Sequence, residues 1–538
     1  MAVKKYKADV VIVGGGIAGI VTAMDLLEAG LHVILVDRDK QENFGGLAKE
    51  SFGGVFMVGT KHQKRNKIQD SPELAWEDWK RTAQFSPKDI WPQQWAKFYV
   101  ENSIEYIYEY MLSKGIRFFP VVHWPERGLF RPGNSVPRFH MAMGTGEGII
   151  RHLTENLLNS EYTKNLTLLF EHRVTRLLVK NRAAQGIAGK NEADNSAFEI
   201  DAPVVVIASG GICGGDLKKL RRNWYKPWGK PPEVILNGSH QFADGSLHDL
   251  VSRYGAKITH LDKQWNYAAG VHHPKPRRDN HGLSLVPPKS ALWVNYRGER
   301  IGPMPLITQF DTRFLVEQIC KQKKKYSWQI LNRKIAVKEL AVSGSEHNEA
   351  FQEGNYLKIV KTVLLGNPKL VNYLTENCID FVTANSVREL AEKMNQLTGT
   401  KDVDADLLEK EIREYDANIE RGKFYNDEQL RRIRYLREYR GDRLRTCNMQ
   451  KIVDKKAMPL IAIREFILSR KSLGGIQTDL ESRILSATGK PISGFYAVGE
   501  AAGFGGGGIH GIGSLEGTFL GSCVLTARRA AKSIRGQA

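Results

Sequence analysis

Residues 9 to 37 hold the strongest constraint on the fold. A short β-branched apolar run, Asp9 to Val13, enters the turn Gly14-Gly15-Gly16-Ile17-Ala18-Gly19. A helix-patterned stretch then runs to Glu28, Gly30 stops it, and a second apolar run, Leu31 to Val36, ends in Asp37. Strand, G-x-G-x-x-G, helix, strand and acid in this order, within about thirty residues, describe a βαβ unit that binds a dinucleotide. Gly14 permits the tight turn, Gly16 lets a pyrophosphate approach the backbone, and Gly19 lets helix and strand pack closely. The helix N-terminus then faces the phosphates, and Asp37 can accept the ribose hydroxyls. A glycine turn without a ligand is the bland alternative, and the complete βαβ context argues against it.

Along the rest of the 538 residues the character changes twice. Residues 71 to 115 are rich in Trp, Tyr and Glu at helical spacing and read as helices laid on the nucleotide domain. Asp201 to Ile207 is another buried strand, followed by Ala208-Ser209-Gly210-Gly211. From about Lys257 to Thr446, Pro- and His-containing loops (Val271 to Ser290) give way to helical, charge-mixed sequence (Leu315 to Gln322, Ser386 to Leu397, Leu407 to Glu420). After this span Ile492 to Val498 returns to strand character, and a Gly-rich segment leads into a terminal helix around Leu515 to Ala531. The expectation is an α/β protein: a discontinuous nucleotide domain (1–256 and 447–538, with a helical insertion near 71–115) interrupted by an α+β cap (257–446).

The C-terminal segment chooses between nicotinamide and flavin. Gly494-Phe495-Tyr496-Ala497-Val498-Gly499-Glu500-Ala501-Ala502-Gly503 is a strand running into a Gly/Ala turn with an acid in it, and a helix expected to begin near Gly513 to Gly517 follows. In two-dinucleotide folds such a segment lies along the ribityl chain, and the positive end of the helix stabilises charge on a reduced flavin. A mobile glycine linker is the alternative; a buried strand and a long apolar helix bracketing the segment argue against it.

Five segments together resemble the fumarate reductase/succinate dehydrogenase flavoprotein superfamily, which includes the ketosteroid Δ1-dehydrogenases. They are Asp9 to Asp37, Gly45 to Gly54, Ala208 to Gly211, Ser472-Leu473-Gly474-Gly475-Ile476-Gln477-Thr478-Asp479, and Phe495 to Gly503. Asn134 to His140, Ala291 to Asn295 through Phe310-Asp311-Thr312, and Leu515 to Gly521 resemble its bacterial FAD-binding dehydrogenase branch, often described as ketosteroid-dehydrogenase-like. The resemblance implies a Rossmann-like FAD-binding domain of the GR2 type plus a cap, with substrate between cap and flavin. The residues assigned to FAD are Gly14, Gly16, Ala18, Gly19, Asp37, Arg38, Gly45, Gly46, Leu47, Ser51, Gly53, Gly54, Val174, Ser209, Gly210, Asp244, Gly499, Glu500, Ser514 and Leu515. No His lies between His32 and His62, so the FAD is expected to be non-covalent.

The sequence also departs from these families. Fumarate reductases place a His before Thr-Met-Gly-Gly and an Arg in His-Gly-Ala-Asn-Arg; here Arg470 and Lys471 precede Ser472-Leu473-Gly474-Gly475, and Ser514 stands where that Arg would be. The tyrosine that the ketosteroid enzymes use is absent from Met458 to Ile463. Dehydrogenation beside a carbonyl pairs hydride transfer to flavin N5 with removal of an α-proton, so it needs a base and an oxyanion stabiliser. Tyr267, in the Gln264-Trp265-Asn266-Tyr267 cluster, ranks first as base or acid against a plain packing role. His510 sits among glycines beside the expected flavin face. Arg464 and Arg470 are anion clamps or oxyanion partners, with a surface ion pair as the alternative. Arg138 and His140 are weaker candidates for the same cavity.

The expected activity is dehydrogenation of a carbonyl-activated C–C bond in a 3-ketosteroid-like or other bulky cyclic ketone. Reduction of an unsaturated carboxylate, and a non-catalytic flavin-binding subunit, stay open beside it. The 78 Lys and Arg against 59 Asp and Glu leave a formal charge of +19. The basic runs Lys218 to Arg222, Lys321 to Lys325 and Arg431 to Arg440 read as solvated faces, and residues 321 to 450 hold 24 basic against 20 acidic residues, so the excess is not concentrated there. No nucleic-acid partner is expected. The charge leaves open an acidic substrate, an unidentified anionic electron acceptor or peripheral association with an anionic membrane. No window reaches the ~18 apolar residues of a membrane span. The five scattered cysteines read as reduced core thiols, and the expected location is cytoplasmic.

Overall fold

Val10–Val13, Val33–Val36 and Val204–Ile207 are short runs of apolar, mostly β-branched residues with no polar face, the pattern of strands covered on both sides. In the computed structural model, which describes residues 3–128, 131–422 and 426–536, they pair in parallel. Leu166–Leu169 extends the sheet beside Val33–Val36, and Pro491–Ala497 beside Val204–Ile207, both parallel; the short antiparallel strand Arg483–Leu485 completes six.

Side chains alternate across the sheet with period two. Val11, Val13, Ile34, Val36, Val205, Ile207, Phe495 and Ala497 share one core with Leu177, Ile187, Phe198 and Ile200 of a second, four-stranded sheet. The intervening Val10, Ile12, Val33 and Leu35 are equally buried. The helix Ile17–Leu27 packs on these strands and on the C-terminal helix Thr518–Arg535. That helix starts after Gly517, whose φ of +93° ends the preceding turn, so Ser514 and Leu515 lie in the turn. Residues 71 to 115 include the helices Pro72–Ala83, Ile90–Ser103 and Tyr110–Ser113, the last two joined by the π-helical stretch Ile104–Glu109.

By internal packing the chain forms two compact units: Met1–Tyr225, Ser239–Trp265 and Arg470–Ala538 in one, Lys226–Gly238 and Asn266–Ser469 in the other. The second is built on residues 460–469 of the long strand Leu460–Ser472, which pairs antiparallel with Tyr326–Asn332 and Phe381–Ala384 and parallel with Ile235–Asn237. Helices include Thr312–Cys320, Val387–Thr398, Ala405–Glu420 and Glu428–Glu438, three of them at the spans expected from periodicity.

The reading of Val271 to Ser290 as loops is corrected. Val271 pairs with Leu283, and Gly282–Val286 is a strand, because its apolar residues find a sheet that local sequence does not reveal. The Gln264-Trp265-Asn266-Tyr267 cluster is likewise the start of the strand Gln264–His272, and Gln264 and Trp265 pack in the first unit.

Candidate active site

The glycines of the first turn occupy three distinct surroundings. A Cβ on Gly14, which has φ +117°, would run into the Ala208 carbonyl, and one on Gly19 would run into the carbonyl of Gly14. Both positions bring backbones into contact that only glycine permits. At Gly16 a Cβ would meet nothing within 4 Å, and no side chain caps the helix that starts there. Alongside, Gly45 donates its N–H to the Gly15 carbonyl at 3.0 Å, and Gly45 and Gly46 both have positive φ. Asp37 accepts from the Gly15 N–H at 2.5 Å and from the Asp39 N–H at 2.7 Å, and burial raises its pKa.

Around this turn Arg38 bridges Glu192 at 2.9 Å and Asp244 at 3.1 Å. The Val174 side chain is buried in the core between the two sheets. Ser51 donates to the Ala48 carbonyl and accepts from Gly53 N–H. Leu47 lies in the one-turn helix Gly46–Ala48, and Gly53, at φ +77°, leads into the strand Gly54–Phe56. Ser209 and Gly210 follow the strand Val204–Ile207 and are half-buried.

In the same unit, tryptophans pack against the segment after Gly503. Trp79 Nε1 donates to the Ile509 carbonyl at 2.9 Å, a Cβ on Gly505 would meet the Trp95 ring at 3.0 Å, and Trp95 Nε1 donates to the Asp479 carbonyl at 3.0 Å. His510, fully buried, stacks on Trp79 with ring centroids 5.7 Å apart. Its Nε2 lies 2.9 Å from Thr518 Oγ1, while Nδ1 has no hydrogen-bond partner among the described residues. Burial, helped by the Lys471 cation, holds its pKa well below the usual histidine range, so the ring is neutral. Ser514 Oγ bonds to Thr518 Oγ1, and Leu515 is buried.

A cation stands beside this segment. The Lys471 ammonium lies 4.1 Å from the centre of the Phe519 ring, and that ring is 4.8 Å from His510. Burial pulls the Lys471 pKa down to about 8; Glu516 opposes this and Arg470 adds to it. Glu516 itself accepts from Trp265 Nε1 at 2.8 Å. Glu500 Oε1 accepts from the Ser472 N–H at 2.9 Å, burial raises its pKa, and Gly499 precedes it with φ +62°. Arg470 is 8% exposed. Sequence reasoning does not single out Lys471, Glu516 or Trp265; the dipeptide Arg470-Lys471 before Ser472 is the one local signal for Lys471, and it points equally to Arg470.

The remaining candidates have the following neighbours. In the second unit Arg464 binds the fully buried Asp380, Nε at 3.0 Å, and Asp380 also accepts from the N–H and Nδ1 of His272. This geometry favours the ion-pair alternative. Tyr267 is half-buried against Leu236, Phe466 and Leu468. The cavity reading of Arg138 and His140 is corrected: Arg138 is fully buried between Asp70 at 2.8 Å and Asp78 at 2.6 Å. His140 bonds to Thr60 Oγ1 and the Arg138 carbonyl, with its pKa pushed down to about 3 by burial.

The family described as FAD binding domain matches residues 9–520. This chain belongs to that family. A KsdD-like steroid dehydrogenase of Mycobacterium tuberculosis (strain CDC 1551 / Oshkosh) is 38% identical over 546 residues, covering 98% of this chain and 95% of the relative. The solved 3-ketosteroid delta1-dehydrogenase from Sterolibacterium denitrificans, in complex with 1,4-androstadiene-3,17-dione, has a TM-score of 0.73 at 16% identity, covering 99% of this chain and 100% of that one. The open conformation of a flavocytochrome c3 fumarate reductase has a TM-score of 0.69 at 21% identity, over 99% and 78%. These two likenesses establish the shared fold.

FAD is the cofactor of this family, and the residues present fit it. Gly16 leaves room at an uncapped helix N-terminus, the arrangement a pyrophosphate requires, and Asp37 ends the second strand of the βαβ unit. Asp37 already accepts two backbone N–H bonds, and an ionised carboxylate has about four acceptor sites, which leaves capacity for a ribose hydroxyl.

Proposed function

We propose that this FAD-dependent oxidoreductase dehydrogenates the C–C bond beside a carbonyl in a bulky cyclic ketone of steroid type. The observation that carries this reading is the 38% identity to a KsdD-like steroid dehydrogenase over 98% of the chain.

The backbone at Gly14, Gly16, Ala18 and Gly19 would hold the pyrophosphate, and Asp37, with Arg38, Val174 and Asp244 nearby, the adenosine side. Gly45, Gly46, Leu47, Ser51, Gly53, Gly54, Ser209, Gly210, Gly499 and Glu500 would line the middle of the cofactor, and Ser514 and Leu515 its ring end, all without a covalent bond. FAD, when bound, supplies a two-electron acceptor. His510, neutral at working pH, offers Nδ1 as a hydrogen-bonding atom. Lys471 and Arg470 supply positive charge to stabilise a developing enolate oxygen. Tyr267 is retained as the proposed base or acid, and Arg464 as a positioning residue that holds Asp380.

One observation favours a second reading. Lys471 and Arg470 place two cations at the ring end, which would also bind an unsaturated carboxylate to be reduced. Anaerobic mixing separates the two. A 3-ketosteroid that bleaches the flavin band of the oxidised holoprotein, with turnover through an artificial acceptor, supports dehydrogenation. Reoxidation of the reduced holoprotein by fumarate, with no response to ketosteroids, overturns it. Silence toward both panels would make the protein a flavin-binding subunit without turnover of its own.

A further inference from the structure

The helix Tyr356–Leu365 of the second unit turns its apolar side outward. Ile359 is buried, whereas Leu357 is 85% exposed and Val360 and Leu364 about half exposed. Spacing of i, i+3 and i+7 puts those three on one stripe, with Leu365 further round. This is not the exposure of a frayed end. The Asn355 side chain caps the helix by accepting from Lys358 N–H at 3.1 Å, and Lys338 Nζ donates to the Leu364 carbonyl at 2.8 Å. Gly366, at φ +81°, closes it against Val337. The fold therefore holds an apolar ridge in water, which ordinary surface composition does not explain.

Charge identifies what covers it. Residues 354 to 375 contain Lys358, Lys361 and Lys369 and no Asp or Glu. Lys358 pairs with Glu353 at 2.7 Å, just outside that stretch, and also feels Glu349; among the described residues no ion pair is shown for Lys361 or Lys369. A second copy docked symmetrically on the stripe would bring like charges together. Nucleic acid would use the lysines and leave the leucines wet. A leaflet with anionic headgroups uses both: the leucines enter the acyl boundary while the lysines meet phosphates. We propose that the stripe Leu357, Val360 and Leu364, flanked by Lys361 and Lys369, docks this protein peripherally on an anionic lipid surface. Among the described residues no helix is long and apolar enough to cross a membrane, so the contact is in-plane.

The test needs no substrate and is independent of the reading above. FAD-loaded protein is co-sedimented with phosphatidylcholine vesicles with and without phosphatidylglycerol, at low and raised salt. The wild type is expected to sediment with the anionic vesicles only, and less so in salt. Leu357→Gln/Leu364→Gln is expected to lose partitioning by at least about tenfold, because two leucines no longer enter the interface. Lys361→Gln/Lys369→Gln is expected to lose the preference for phosphatidylglycerol. Flavin absorbance and melting temperature confirm that these surface variants fold. Wild type left in the supernatant, or a leucine variant that sediments equally, overturns the proposal. A wild-type dimer that becomes monomeric in the leucine variant, without vesicle binding, assigns the stripe to a second copy instead.

Discussion

Lys471 holds a positive charge where burial opposes it, and its pKa of about 8 puts the change of charge inside the working pH range. Because the value is lowered from that of a free lysine, the fold disfavours the cation below about pH 8 and is relieved of that burden as pH rises toward the unfolded value near 10.4. Lys471→Met is therefore expected not to lower the melting temperature at pH 7, although Phe519 loses its cation. If the charge serves the reaction, kcat/KM declines above pH 8 in the wild type. That limb moves to higher pH in Lys471→Arg and vanishes, with a loss of roughly a hundredfold, in Lys471→Met. A pH profile of the three proteins checks this, and an unchanged limb in the arginine variant would remove Lys471 from the proposed site. His510 is neutral and stays so, hence no inflection near pH 6.5 is expected from it. Nothing in the local sequence marks these values. They arise because Trp79, Phe504, Phe519 and Thr518 surround His510, and Phe519 also lies against Lys471.

Within the first βαβ element, two glycines of one motif separate folding from binding. Gly16→Ala places a methyl in open space at a φ of −75° that alanine adopts readily. The cofactor-free protein is then expected to match wild type within about 0.5 kcal/mol, while FAD affinity falls by tenfold or more. Gly19→Val instead forces the helix away from the Gly14 carbonyl, and a loss of about 2–4 kcal/mol is expected with or without FAD. Denaturant melts of stripped protein together with FAD titration distinguish the two. This element could be read from sequence because its determinants are local: spacing, β-branched runs and conformations that only glycine permits. The strands Gln264–His272 and Gly282–Val286 could not, since their pairing partners lie as far away as Leu460–Ser472. The helices of the second unit fall between. Ser386 and Asp311 accept from the backbone N–H three residues on, as N-caps do, and the amphipathic patterns behind them are clear in the chain itself.

For the molecule as a whole, a net charge of +19 and a bound dinucleotide make two testable demands. Adding FAD at a hundredfold its Kd to stripped protein should stabilise it by about 2.7 kcal/mol, read as a rise in melting temperature; no rise would contradict the family assignment. If the charge guides an anionic acceptor or substrate, kcat/KM falls as ionic strength rises, and turnover of a neutral ketosteroid with a neutral acceptor does not. The sequence by itself determined the α/β dinucleotide fold, the family resemblance and the cofactor. Each rests on short-range chemistry, in which backbone conformation and strand or helix periodicity are encoded within a few dozen residues. Only the tertiary structure decided what the polar side chains do. It buried Arg138 between Asp70 and Asp78, tied Arg464 to Asp380, and brought Trp265, Lys471 and His510 with Glu516 and Phe519 into one cluster from three separate stretches of chain. It also left Leu357 in water. The availability of a charge, and its pKa, depend on neighbours contributed by distant segments and on the water they exclude.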